Sequence, residues 1–526
     1  MVDKFRNPYA GATAETTPPD VPALVAGAIK DEAGNSVGGG STTPAAVVSA
    51  ATQMSDAERV SAGIQAQRVV TNVARWGFDT AAVRAAYTAT PPGGTLYFPP
   101  GATFTLKADS VYAACLRVLK AINIGSDGAL LKLATDAPTG TRMFEVAADD
   151  VSISGLSIEQ TGVEGSTCVY ASGAARLRVM RNNFKTPKSG ALLLNDNVSE
   201  VLFAHNTVLG EGYGVLANDN PGIQRVTISA NTFDGTGGGK DAVEINGIDH
   251  DKFDITTVGN TIANYQAVGP AVGFGIGYAR VVRGSISGNV IRGCARNGIH
   301  IEANSSLVSV STNNVSDCGN AGIEVQGELG KVCASISIAD NTVSNCCLTP
   351  LYNLGNGGIE VGSSTGAAFT GYGATGISVS GNILEGNRGA GIYAFGVTHS
   401  AIANNIVRNT YGVSTDTAHA IQNTGIYAIS CTGTMVLFNQ ITDNKGAGAT
   451  SYYPIFYYGA SALLDLGNNW AGTLAGITDQ TTGVPKLFGG TGVGSLRYDG
   501  GANRLGFFGG TPHTKPVVAG SKASGA

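Results

Sequence analysis

Residues Asn297–Gly327 read NGIHIEANSSLVSVSTNNVSDCGNAGIEVQG, and they state one phrase twice. Asn-Gly-Ile-His-Ile-Glu at 297–302 returns as Ala-Gly-Ile-Glu-Val-Gln at 321–326, 24 residues later. Between them, Val308-Ser309-Val310-Ser311 alternates apolar and polar residues. Period-two alternation marks a strand with one buried face. A unit this short cannot bury a core alone, so repeated units must stack. One copy carries His300 where the other carries Glu324, which separates the question of fold from that of function.

Working outward, the alternating run recurs in one frame on Asn182, Asn206, Asn231, Asn260, Asn289, Asn313, Asn341, Asn382, Asn405, Asn439 and Asn468. The spacing varies from 23 to 41 residues while the strand phrase stays constant. No helical periodicity lies between the phrases. This pattern predicts an all-β solenoid, coil on coil at about 4.8 Å, whose turns accept insertions. The recurrent asparagine is expected at a tight bend, tolerating left-handed backbone and bonding its amide to the asparagines above and below. Cys294, Cys318 and Cys346 each follow the strand's closing apolar residue by three positions. They are expected to stack as a buried thiol column rather than to hold a metal.

Composition narrows the function classes. The chain has 526 residues, 75 of them glycine, with 13 % charged residues and a net charge of −5. No basic run points to nucleic acid. No uninterrupted apolar run of about 18 residues is present, which argues against membrane insertion. The amino terminus has no apolar core of signal-peptide length. The eight cysteines show no CxxC spacing, and no cofactor or metal motif is found.

Phe78–Leu106, FDTAAVRAAYTATPPGGTLYFPPGATFTL, offers Asp79 as a helix N-cap, an alanine-rich turn, a Pro/Gly stop and a strand at Thr95. Together with the repeat, this segment resembles the opening of the right-handed parallel β-helix proteins of the pectate-lyase-like superfamily, which includes polysaccharide lyases, glycosidases, epimerases and phage tailspikes. The resemblance implies a right-handed single-stranded parallel β-helix with a short N-terminal capping helix. Residues 1–70 are Gly/Ser/Thr-rich and read as an extended arm for virion attachment. Residues 71–106 form the cap, 107–475 the β-helix and 476–526 a small C-terminal β/tail region. Within that tail LGFFGGTPHTKP, Leu505–Pro516, resembles the ends of phage tail-fibre proteins. Leu505, Phe507 and Phe508 are expected to pack on a neighbouring chain or on the coil's end.

Candidate chemistry lies in the second phrase. The residue after the buried Ile or Val points away from the core, giving the column Leu193, Leu216, Glu244, Gly275, His300, Glu324, Glu360, Tyr393 and Tyr427. Glu324 and Glu360 on adjacent coils repel, so one is expected to stay protonated while the other ionises. A separation near 5 Å suits a retaining glycosidase. His300 could serve as a base in a lyase, but no Arg or Lys cluster stands beside it. Glu302, Tyr393, Tyr427 and Glu244 are candidate sugar contacts. Tyr352, Tyr372 and Phe369, in the longest insertions, join them. A runner-up patch gathers Asp241, Glu244, Asp249, Asp251 and His250, without a calcium-loop spacing.

The polygalacturonase motifs and the Asp-Pro-His motif of alginate epimerases are absent, so no residue role carries over from those families. The reading is a phage tailspike or tail-fibre protein, a homotrimer in the virion tail. It would bind a bacterial surface polysaccharide and meet tail or baseplate proteins through its N-terminal arm. The residues permit hydrolysis and equally permit binding alone. Two alternatives stand beside it: a secreted, extracellular polysaccharide lyase, epimerase or glycosidase, and a non-catalytic fibre.

Overall fold

The chain divides into two units, Met1–Arg68 and Val69–Ala526. The computed structural model describes residues 69–160, 162–185, 189–266, 272–327, 330–348, 357–363, 373–410, 424–443, 453–458, 464–466, 468–472, 478–480, 494–499 and 504–509, all in the second unit. Tyr352, Phe369 and Tyr372 lie outside them, as do the residues of the proposed N-terminal arm before Val69.

Each coil gives one short strand to each of three parallel sheets. Ser309–Ser311 enters the first sheet, Asn314–Ser316 the second and Ile323–Gly327 the third. Among the described residues these sheets hold 16, 14 and 14 strands. In the main path of each sheet, every strand pairs with the equivalent strand one coil away. This is a right-handed parallel β-helix. Among the described residues the stack begins at Val70–Asn72, which pairs with Thr95–Phe98, so coil strands are already present before residue 107. Period-two alternation does what the sequence implied. Val310, Val315, Ile323 and Val325 point inward and are fully buried, and every coil repeats the pattern.

The eleven asparagines form one ladder. Asn313 shows the bonding: its Oδ1 accepts from the backbone N–H of Asn289 (3.0 Å) and from Asn289 Nδ2 (2.9 Å). Its own Nδ2 donates to Asn341 Oδ1 (2.9 Å) and to the Ile286 carbonyl (3.0 Å). The motif runs from Asn182 to Asn468. The expectation of left-handed asparagines is corrected. The left-handed residue is the one before: Thr312, Asp340, Asn404 and Phe438 precede ladder asparagines and have φ of 55°, 57°, 57° and 52°. The bend is made there, and the asparagine is kept for its amide, which satisfies buried backbone groups.

Cys294, Cys318 and Cys346 stack as expected, as free buried thiols. Asn387 continues that column, its Oδ1 accepting from the Cys346 N–H at 3.0 Å.

The predicted capping helix is Thr80–Ala89. Asp79 accepts from the Ala82 N–H at 2.8 Å. Ala82, Val83 and Ala86 are buried. Its polar side chains serve the open edge of the third sheet, at Ala114–Val118. Arg84 Nε donates to the Cys115 carbonyl at 2.8 Å, and Tyr87 Oη accepts from the Leu119 N–H at 2.7 Å. Unpaired edge groups invite further strands, and the helix removes that invitation. Beyond the coil, Gly494–Asp499 and Arg504–Gly509 pair as an antiparallel hairpin.

Candidate functional site

Strand register in the third sheet builds the column predicted from sequence. Leu193, Leu216, Glu244, Gly277, His300, Glu324, Glu360, Tyr393, Tyr427 and Phe456 are direct neighbours in turn. One position is corrected: Gly277, not Gly275, occupies its rung. The Gly-Ile-Gly-Tyr sequence there offers two glycines two residues apart, so alternation alone could not choose between them.

The column points away from the main core yet is buried. His300, Glu324 and Glu360 are 6 %, 9 % and 7 % exposed, and Tyr427 is 3 % exposed. Tyr393 and Tyr427 meet edge-on at 5.6 Å, and Tyr427 meets Phe456 at 4.9 Å. With Phe395 and Ile429 they make a small apolar cluster of their own. The two tyrosine rings are therefore packed on each other rather than laid open in a groove.

At the ionisable rungs, His300 is held from both sides. Its Nδ1 lies 2.7 Å from Glu324 Oε2, and its Nε2 lies 3.1 Å from Glu302 Oε2. Burial alone would strip its charge, but Glu302 and Glu324 more than offset this and raise its pKa well above the ordinary histidine value. Burial pushes Glu302 up, and His300 outweighs it, so that carboxyl ends below its usual range. Asn297 Nδ2 also reaches Glu324 Oε2. Two donors thus converge on one oxygen and orient the carboxylate, as a positioned nucleophile requires. Phe274 stacks flat on the imidazole, 4.8 Å between centroids and 13° between planes. Arg296 lies over the same phenyl ring at 4.7 Å.

Glu360 sits one rung from Glu324, about 4.8 Å along the coil. Burial, then the neighbouring Glu324, drive its pKa well above the usual carboxyl range. The Glu360 carboxyl is thereby biased toward its protonated form, beside the Glu324 side chain that His300 and Asn297 orient.

On the other side, Glu244 bends across the bare Gly277. A Cβ there would sit 2.3 Å from Glu244 Oε2, so the absent side chain makes room for the carboxyl. Burial, then Asp241 and Glu302, push Glu244 well up. Asp241 is fully buried. Its Oδ1 accepts from the Phe274 N–H at 2.7 Å, while Oδ2 has no hydrogen-bond partner. Burial raises it to about 7. The runner-up patch does not assemble as one site. Asp249 and His250 bind Asp219 through their backbone N–H groups, and Asp251 pairs with Arg280 at 2.9 Å.

The sequence reading missed Asn297, Phe274 and Arg296. Asn297 opens the diagnostic phrase, but Gly298 and Ile299 both turn inward after it, and this break in alternation hid its common side with His300. No group of three or more His, Cys, Asp or Glu suited to a metal occurs among the described residues. No helix among them is long and apolar enough to cross a membrane.

No family model matches the chain, and no curated protein is similar to it. Several solved structures are similar at low identity. The A-module of Azotobacter vinelandii mannuronan C-5 epimerase AlgE6 is 15 % identical, over 76 % of this chain and 99 % of that one, with a TM-score of 0.44. Tailspike protein 3 of bacteriophage CBA120 is 13 % identical, over 83 % and 67 %, with a TM-score of 0.47. The catalytic unit of a GH87 α-1,3-glucanase from Streptomyces thermodiastaticus is 14 % identical, over 80 % and 71 %, with a TM-score of 0.46.

Proposed function

We propose that this chain is a glycan-cleaving phage tailspike or tail-fibre protein, a homotrimer whose β-helix acts on a bacterial surface polysaccharide. The observation that carries the enzymatic part is the registered pair: Glu324, oriented by His300 and Asn297, beside the buried acid Glu360. In a chain with only 13 % charged residues, burying this many carboxyls is costly, and such clusters concentrate at functional sites. Glu360 donates its proton to the glycosidic oxygen as the bond to C1 breaks, and Glu324 attacks C1 through the oxygen not tied to His300. Water then cleaves the glycosyl ester, giving its proton to the Glu360 carboxylate. The closeness of the carboxyls favours retention of configuration. The phage assignment is supported by the tail-fibre-like C-terminal sequence and the attachment-arm composition of residues 1–70. The arm would meet tail or baseplate proteins, and Glu302 and Glu244 remain the proposed glycan contacts on the described strands, with the packed rings of Tyr393 and Tyr427 backing them rather than lying open to a sugar.

Glu360→Gln and Glu324→Gln are each expected to lower the release of reducing ends from host polysaccharide by about 10²–10⁴-fold while leaving the fold intact. Activity should fall as pH rises through the Glu360 pKa, because the acid form is needed. Unchanged release by both variants removes the pair from catalysis. That outcome would favour the second reading, a non-catalytic glycan-binding fibre, to which the low exposure of the pair already points.

A further inference from the structure

The outward surface of the third sheet differs on the two sides of its ionisable rungs. Toward the later coils, Tyr393, Phe395, Tyr427 and Ile429 pack on one another and are buried. That side is closed. Toward the earlier coils, Tyr170, Leu193 and Leu216 continue the same column one rung apart, and Leu216 is the direct neighbour of Glu244. Tyr170, Tyr213 and Leu216 are half-buried, while the inward residues Val169, Leu192 and Val215 of the same strands are fully buried. Glu244 and Glu302 are half-buried as well, so the acid rungs reach the surface there. Among the described residues the column therefore opens toward the earlier coils.

Amides border these side chains. Asn195, Asn218 and Asn246 each follow the last residue of a strand, and those last residues, Leu194, Ala217 and Ile245, are vertical neighbours. Asn218 Nδ2 donates to Asn195 Oδ1 at 3.4 Å, and Asn195 Nδ2 donates to Asp196 Oδ2 at 2.7 Å. All three asparagines are half-buried, so their remaining donors and acceptors face solvent. Apolar rings edged by amides suit a ligand with a flat C–H face and a hydroxyl rim, as a sugar ring has. The charges narrow the choice. Arg117 and Arg142 both bind Glu145 at 2.9 Å, and Arg142 lies over the Tyr170 ring at 3.5 Å. Lys240 stands 5.3 Å from the Tyr213 ring. Asp196 lies near Tyr170, and Asp241 and Glu244 lie near Tyr213. With both arginines held by Glu145, these carboxyls outweigh Lys240 and disfavour an anionic sugar.

We propose that Tyr170, Tyr213, Leu216 and the column Asn195, Asn218, Asn246 bind uncharged sugar residues of the polysaccharide, on one side of the bond assigned to Glu324 and Glu360. This rests on the glycan reading above and gives it a direction, along the coil axis toward the earlier coils. Six rungs separate Glu324 from Tyr170, about 29 Å at the usual strand spacing. Only an extended polymer spans both, and a short oligosaccharide at the acid pair does not reach Tyr170. Contacts this far from the reacting bond hold substrate and transition state alike, so they serve affinity rather than turnover.

The test is retention of the full chain on an array of purified bacterial surface polysaccharides, charged and uncharged. Glu360→Gln serves as the background, so that bound polymer stays intact. This chain should be retained by an uncharged polymer. Adding Tyr170→Ala or Leu216→Asp should weaken that retention about tenfold, the scale of one lost ring contact, and Thr227→Asp, on the first sheet, should leave it unchanged. A second measurement does not depend on those variants folding. All eight native thiols are buried, so an Asn218→Cys thiol can be labelled selectively with maleimide. The retained polymer should slow that labelling about tenfold and leave a Thr227→Cys thiol unaffected. Retention by no polymer overturns the glycan reading and these contacts with it. Retention unchanged by both substitutions, or Asn218→Cys labelling unchanged by the retained polymer, overturns the contacts alone. Retention by charged polymers only overturns the assignment to uncharged sugars.

Discussion

Two ladders climb the same coil, and they obey opposite rules. The asparagine ladder repeats one residue eleven times and satisfies its buried amides from coil to coil. The column through His300 runs through leucine, glutamate, glycine, histidine and tyrosine, and beside it Asp241 Oδ2 and Asn297 Oδ1 are buried without a partner. The first ladder stabilises. The second carries a desolvation cost that only a charge partner or a ligand offsets. Residues that serve stability converge on one solution, whereas residues poised for chemistry are placed against it.

The contrast is open to direct attack. The largest expected effect is at the uniform ladder. Asn313→Ala strands the Asn289 N–H and the Ile286 carbonyl, and should cost about 2–6 kcal/mol by denaturant unfolding, at about 1–3 kcal/mol per orphaned group. A loss below about 1 kcal/mol would mean that the ladder does not bear on stability. In the other column the sign should reverse. Glu360→Met replaces a buried carboxyl with an apolar group of similar volume, and should stabilise by about 1–2 kcal/mol while abolishing any activity.

The pH dependence sharpens the same distinction. Asp241 is raised from 3.8 to about 7, so the folded state holds a proton that the unfolded chain releases. Its contribution is full below the unfolded value and is lost as pH climbs toward 7. Glu360 and Glu244, also raised, act in the same sense. His300 adds stability that is complete below its unfolded pKa and lost as pH rises through the higher folded one. Glu302, depressed, works oppositely, its contribution vanishing on acidification. Thermal melts from pH 4 to 8 should therefore show Tm falling with pH, and Asp241→Asn should flatten that slope. An unaltered slope would place Asp241 outside the coupled cluster. The smallest effect belongs to the thiol column: Cys318→Ala should cost only about 1–2 kcal/mol, the loss of a small buried apolar group.

The solenoid, its recurring strand phrases, the capping helix and the vertical neighbours Glu324 and Glu360 were legible in the residues alone, whereas the division of each coil among three sheets was not. Period two fixes which side chains share a face, and a constant phrase fixes which of them stack. The tertiary structure decided three further things the sequence left open. It placed the left-handed bend one residue before each ladder asparagine, because Asn is needed there for its amide rather than its backbone tolerance. It brought Asn297, Phe274 and Arg296 to His300, across a break in alternation that no periodic reading crosses. It also covered the outward column: whether a side chain leaving the coil meets water depends on what folds over it, and burial raises Glu360 and Asp241, whereas the carboxyls packed on either side of His300 outweigh burial and raise it.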